Sequence, residues 1–435
     1  MISAGPIKFI PQKASLVKSS GLLYNLRAMN SRERVRIALA HKEPDRVPID
    51  LGGSLVTGIN AVAYHRLRKY LGIDGQPVKV ANIILQLAEV EEPVRKRFGV
   101  DVIELPPLEP IPGVKNIRWK PWTLPDGSPA FISEDFEPER TPEGDLLIRT
   151  AEGRIAHWMP AGTYHFLPKE PPIKAPTLEE LERFEPARIS DEELEFLHHT
   201  ARRLYHETDY AIFGWFGGSL VEGGQFARGW AEFLMDLKLN PDFASKLIAK
   251  LADAALADLK RYIEAVGEYV DVIGFGDDLG TQAGLQFSPA TYRKFFFEHH
   301  RRLYSFVHAH TRAYVFLHSC GSVYDLIPDL IEAGVDILNP VQTAAARMEP
   351  ERLKKEFGDK LSFWGGGSCP QTVLPRATPE EVEEDVKKRL RIFAPGGGYI
   401  FAPIHNIQPD VPPQNIVAMY DAALRWGRYP IDIPD

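Results

Sequence analysis

Cysteine is almost missing from this chain: Cys320 and Cys369 are the only two in 435 residues. Two thiols cannot build the disulfide framework of a small secreted domain, so the chain reads as a resident of a reducing compartment, the cytoplasm. Long apolar runs are lacking too. No uninterrupted segment approaches the roughly 18 residues that span a bilayer, which sets membrane proteins aside and leaves a soluble one as the expectation. Basic blocks are the third absence. Fifty-one basic residues stand against 59 acidic ones, a formal net charge of −8, and no Lys/Arg tract is long enough to track phosphates, so nucleic acid is not an expected partner. Internal repeats and low-complexity tracts are also absent.

What is present is a large supply of apolar side chains, 44% of the residues, arranged in short runs. Eight recur from residue 47 onward: "VPIDL" (47–51), "DVIEL" (101–105), "AIFGW" (211–215), "DVIGF" (271–275), "AYVFL" (313–317), "DILNP" (336–340), "LSFWG" (361–365) and "GYIFA" (398–402). Segments with helical spacing lie between most of them. One, 288–310, opens with Ser288 and Pro289 as cap and first turn; another, 378–394, opens with Thr378 and Pro379 and runs from acids to bases, as a helix dipole favours. Eight strands alternating with helices predict a (β/α)8 TIM barrel. Residues 106–176 break the rhythm with proline-rich and turn-rich stretches, which predicts a β-rich hairpin insertion after the second strand within a barrel domain of 29–435. Residues 1–28 carry four bases and no acid and are read as a leader without fixed structure, or as a start placed ahead of Met29.

In such a barrel the groups that do chemistry stand just past the carboxyl ends of the strands. Glu222 follows the third run; Asp277, Asp278 and Gln282 follow the fourth; His318 and Cys320 the fifth; Cys369 the seventh; His405, Asn406 and Asp410 the eighth. A His-x-Cys pair at a strand end can offer an imidazole nitrogen and a thiolate to one cation, and zinc accepts both while keeping a position open for substrate. Two ligands are too few. His405 or Cys369 is placed to complete the set. Asp277 and Asp278 either cap the next helix or, beside a cation, bind substrate or move a proton.

Taken together, "NSRERVRIALAHKEPDRVPID", "QLAEVEEPVRKRFGVD", "GDDLGTQAGLQFSPATYRKFFFEHHRRL", "FLHSCGSVYDLIPDLIEAGVDILNPVQ" and "FAPIHNIQPDVPPQNIVAMYDAA" resemble the uroporphyrinogen decarboxylase superfamily, and within it the cobalamin-dependent methyltransferase branch. The resemblance implies a uroporphyrinogen decarboxylase-like barrel with its active site at the carboxyl ends of the strands. It implies zinc held by His318 and Cys320, with His405 in "APIH" standing where that branch carries a cysteine. It also implies a methyl group exchanged between a small-molecule donor or acceptor and a corrinoid carried on a partner protein, since no corrinoid-binding motif occurs here, as in one-carbon metabolism and O-demethylation. A homodimer is among the assemblies it allows. Asp277, Asp278 and Glu222 would be catalytic, and Gln282, Asn406 and Asp410 would contact substrate. Two alternatives stand beside this: cofactor-free decarboxylation of a tetrapyrrole, and a non-catalytic barrel that binds a corrinoid or another ligand. The arginine-rich motif that grips porphyrinogen carboxylates in the decarboxylase is replaced by "DLGGSLVTGIN", which has no cation.

Overall fold

The computed structural model describes residues 29–73 and 75–434; the 1–28 leader lies outside the described residues. Seven of the eight runs form one curled parallel sheet, paired in chain order: Val102–Glu104, Ala211–Gly217, Val272–Gly276, Tyr314–His318, Ile337–Asn339, Ser362–Trp364 and Tyr399–Ile400. These are the second to eighth strands of the barrel. The first run closes it. Phe401 N–H donates to Pro48 O (2.8 Å), Asp50 N–H to Phe401 O (2.8 Å) and Asp101 N–H to Ile49 O (2.7 Å), so residues 47–51 lie between the eighth and second strands. This first stave makes one bridge, Ile49 to Phe401, instead of a laddered strand. Pro48 has no N–H to give, and Gly52, at φ 76°, turns the chain out of the sheet.

Closure is pinned by one carboxylate. Asp101 is fully buried and accepts from Arg34 Nη1 (2.6 Å), Arg46 Nη1 (2.7 Å) and the N–H of Ile49 (2.9 Å). Charge and backbone bond thus meet at the seam between the first and second staves.

Every second side chain of a strand points into the barrel. Val102, Phe213, Val272, Phe316, Ile337 and Trp364 fill the interior as one buried cluster, with Phe213, Phe316 and Trp364 edge to face at 4.8–5.7 Å. Gly274 makes room for them, because a Cβ there would lie 2.6 Å from the Phe213 ring. By the same alternation, the inward positions nearest the carboxyl ends are Glu104, Trp215, Gly276, His318 and Asn339. The chemistry-bearing ring of the barrel is therefore set by strand register.

The expected helix signals appear. Thr378 and Glu381 form a complete capping box on the helix Pro379–Phe393, and Ser288 Oγ accepts from Thr291 N–H at the start of Pro289–Phe295. The 288–310 segment is not one helix, however: it breaks at Phe296 and resumes as Phe297–His310. Three adjacent phenylalanines cannot share one helical face, and the break buries both Phe295 and Phe296.

Two four-stranded sheets stand outside the barrel. Within 106–176, Glu139–Arg140, Leu146–Arg149, Ile155–Met159 and Leu167–Pro168 form an antiparallel meander. The other sheet pairs Trp119–Thr123 and Pro129–Ser133 with Val78–Asn82 and Leu87–Ala88, which precede the second barrel strand. The sequence reading did not place a strand there, although Val78 and Val80 are buried and Lys79 is not, the alternation of a half-buried strand. No helix among the described residues is long and apolar enough to cross a membrane.

Candidate metal centre

The fifth strand ends on His318, and the tight turn after it carries Cys320. Ligand atoms of His318, Cys320 and His405 all lie within 4.8 Å of one another. His318 Nε2 and Cys320 Sγ are 3.3 Å apart, and the two imidazole rings meet edge to face with centroids at 5.3 Å. Tetrahedral zinc places N and S ligands about 3.3–3.8 Å from each other, so the His318–Cys320 pair already has that spacing and His405 must move in slightly. A cavity of about 440 Å³ opens over the cluster, lined by Cys320, His405, Cys369, Gln282 and Gln342 among others.

The tautomer of His318 follows from its neighbour. Asn339 Nδ2 donates to the Trp364 carbonyl (2.9 Å), which turns its Oδ1 toward His318 Nδ1 at 2.6 Å. Nδ1 must then carry the proton. The lone pair sits on Nε2, the atom beside the thiol. Asn339 was not among the expected site residues; its signal was the alternation in "DILNP", two positions past the inward Ile337. Replacing Asn339 with alanine is expected to weaken divalent-metal affinity by about 10- to 100-fold while leaving the three ligand side chains in place, as chelator competition with zinc would measure.

Burial sets the electrostatics. It lowers the pKa of both imidazoles, that of His405 to about 3 with help from the His318 charge, while Asp278 pulls His318 the other way. Both rings are therefore neutral at pH 7, the form a metal binds. Burial, then the charges of Asp278 and Glu222, push the Cys320 thiol well above its usual range. A divalent cation reverses that logic and favours the thiolate. His405 differs from His318 in one respect: its Nδ1 accepts the Asn406 N–H (2.7 Å). Coordination through Nδ1 competes with that bond, and coordination through Nε2 requires the other tautomer.

The other expected residues divide. Asp278 Oδ1 accepts the Cys320 N–H (2.7 Å) and lies 4.0 Å from His318 Nε2, so it shapes the turn that carries the thiol. Glu222 stands beside Gly276, opposite the Trp215 ring. Burial, then Asp278 and Asp277, raise its carboxyl to about 8, and it keeps its proton at neutral pH. Its oxygens are not among the atoms that gather at the cluster. Cys369 lines the same cavity but is likewise outside the cluster. Gln282 is exposed at the cavity edge.

Three of the expected residues are engaged elsewhere or stand away from the cavity. Asp277 is buried and its carboxylate accepts the N–H groups of Leu220, Val221 and Glu222 (2.8–3.0 Å) and meets His300 Nε2 at 3.0 Å. It caps the helix Val221–Arg228, whose dipole favours an anion there, and has no oxygen to spare for substrate. Asn406 accepts the Gly58 N–H (2.6 Å) and donates to Leu55 O (3.0 Å), stitching the first loop to the last strand. Asp410 is exposed and outside the cavity lining.

A parallel barrel with a His–Cys–His cluster at the carboxyl-end rim belongs to the class of (β/α)8 proteins that collect their reactive side chains there. A match to the family described as Uroporphyrinogen decarboxylase (URO-D) spans residues 161–426, and the chain belongs to that family. Curated relatives named uroporphyrinogen decarboxylase include those of Pseudoalteromonas atlantica, 24% identical over 56% of this chain and 67% of its own length, and of Pseudomonas fluorescens, 28% identical over 47% of this chain and 54% of its own. The chain thus spans about half to two thirds of these relatives. A solved methyltransferase from Methanosarcina mazei shares the fold at a TM-score of 0.58, covering 91% of this chain and 98% of its own at 16% identity.

Proposed function

We propose that this chain is a zinc-dependent methyltransferase that passes a methyl group between a small molecule and a corrinoid held by a separate protein. The observation that carries the reading is the convergence of His318, Cys320 and His405 within 4.8 Å at the barrel rim. Zinc, when bound, supplies a Lewis acid for a donor oxygen or an acceptor thiol. The chain's own residues prepare the place. Asn339 fixes the His318 tautomer, Asp278 fixes the turn that carries Cys320, and Glu222 holds a proton beside Gly276, where it can meet a developing negative charge. The Methanosarcina neighbour supports the reading to the extent that the same fold hosts an enzyme named a methyltransferase.

The names of the curated relatives favour a second reading, decarboxylation of a porphyrinogen. Desolvating a polycarboxylate needs several basic partners. The first loop, 52–58, offers none, and Arg188, which lines a separate cavity over the first three strands, is paired with Asp258 at 2.8 Å.

Purified protein is expected to hold about one zinc per chain and, with methylcobalamin and a thiol, to shift the corrinoid absorbance as the methyl group leaves. Zinc-loaded protein that leaves methylcobalamin, or a methylated corrinoid protein, spectrally unchanged with every acceptor class offered would sink the methyltransferase and leave a carrier or a decarboxylase.

A further inference from the structure

A second cavity, of about 510 Å³, opens at the same end of the barrel over its first three strands. Trp215, Phe216, Leu105, Ile111, Pro106 and Pro107 give it flat, stiff, apolar walls. Among the polar atoms that line it without a hydrogen-bonding partner in the described residues are the carboxyl of Glu104, the hydroxyl of Tyr262 and the buried Oδ1 of Asn116. Glu104 is the inward residue at the end of the second strand, paired in register with Phe213. The Tyr262 hydroxyl comes in over Gly214, where a Cβ would collide with it. Polar groups away from bulk water are nearly always satisfied, so several left open to one cavity, Asn116 Oδ1 fully buried among them, mark where a ligand's polar atoms belong.

The remaining charges around the cavity are spoken for. Arg188 donates twice to Asp258 (2.8 and 3.0 Å). The Glu193 carboxylate accepts the Leu108 and Glu109 N–H groups (3.0 and 2.9 Å), and Glu109 accepts from Gly113 (3.3 Å). Behind Glu104, Asp50 accepts from Trp364 Nε1 and Gly53 N–H, each at 2.8 Å. Glu104 alone among these acids has no donor, and burial together with the Asp50 charge raises it to about 7.

We propose that this cavity is a binding site for an uncharged, flat organic molecule that lies along Trp215, with Glu104 hydrogen bonding its oxygen and the other open groups of the wall, Tyr262 and Asn116, taking its remaining polar contacts. Anions are disfavoured by the surrounding carboxylates and the absence of a free cation among the lining residues. The site adjoins the metal cluster's neighbours: a Cβ on Gly276 would lie 3.0 Å from the Trp215 ring and 3.9 Å from Glu222 Oε2. The inference names the class of the small substrate and rests on the methyltransferase reading for that molecule's role, but not for its binding.

The test is calorimetric titration of the full chain, stripped of metal by chelation, with 2-methoxyphenol as the neutral probe and 2-methoxybenzoate as its charged counterpart. Saturable binding of the phenol at pH 6 is expected, with none of the benzoate. Affinity for the phenol should fall about tenfold between pH 6 and pH 8, as Glu104 loses its proton, and about tenfold in Glu104→Ala. Glu104→Gln, which keeps a donor and nearly the same shape, should bind with no such pH dependence. That variant decides the matter should Glu104→Ala fail to fold. The site is overturned by an absence of saturable phenol binding, by equal binding in Glu104→Ala, by a wild-type pH profile in Glu104→Gln, or by benzoate binding as tightly. Binding by stripped protein that transfers no methyl group once zinc is restored upholds the cavity and sinks the methyltransferase. Methyl transfer with no phenol bound does the reverse.

Discussion

Cys320→Ala and His318→Ala are each expected to lose zinc by more than about 100-fold in affinity, beyond the range that a supporting residue costs, and to lose corrinoid methyl transfer with it. The reason is geometric. The two donor atoms stand 3.3 Å apart on one strand end, the spacing of a tetrahedral pair, and each is held by a separate bond, Asn339 to the imidazole and Asp278 to the Cys320 N–H. Removing either leaves too few protein ligands for a catalytic zinc site. His405→Ala should cost less, because His405 must first surrender its Asn406 contact or change tautomer to bind the ion. Zinc content after dialysis against a graded chelator would rank the three, with unchanged melting temperatures showing that the barrel survives. Equal zinc retention in all three variants and wild type would remove the metal from the mechanism.

The second large effect concerns the fold. Asp101→Ala is expected to destabilise the barrel by about 3–5 kcal/mol, the range for breaking a buried ion pair by deleting one partner. Arg34 is left with Asp45 as its one carboxylate, Arg46 keeps only backbone carbonyls, and the Ile49 N–H at the closing seam loses its acceptor. Urea unfolding should show a lower midpoint with the same slope, since the surface exposed on unfolding does not change. Arg183→Ala, which removes an exposed pair with Glu179, should leave the midpoint where it is. A midpoint for Asp101→Ala within error of wild type would mean that the seam is held by the strand bonds alone.

Much of this was legible in the chain. The period of apolar runs gave eight staves, and reading the residues just past each run brought His318, Cys320 and His405 to one rim. Other residue types misled because their chemistry has two uses. A carboxylate after a strand end serves equally to cap a helix, as Asp277 does, or to keep a proton at the barrel rim, as Glu222 does beside Gly276. An amide such as Asn406 reads as a substrate contact until both its ends are found on backbone. Glu104 and Asn339 were overlooked because each ends an apolar run, where one polar residue looks like the boundary of the strand.

The chain's own pattern of apolar runs, prolines and caps determined the barrel, and the residue types at the strand ends determined that a nitrogen–sulfur site was available, because period and composition are local properties. Tertiary structure alone decided which polar groups were already bonded and which were left open. That depends on hydrogen bonds between residues far apart in sequence, such as Asp277 to Leu220 and His318 to Asn339, and on burial, which only the closed barrel creates.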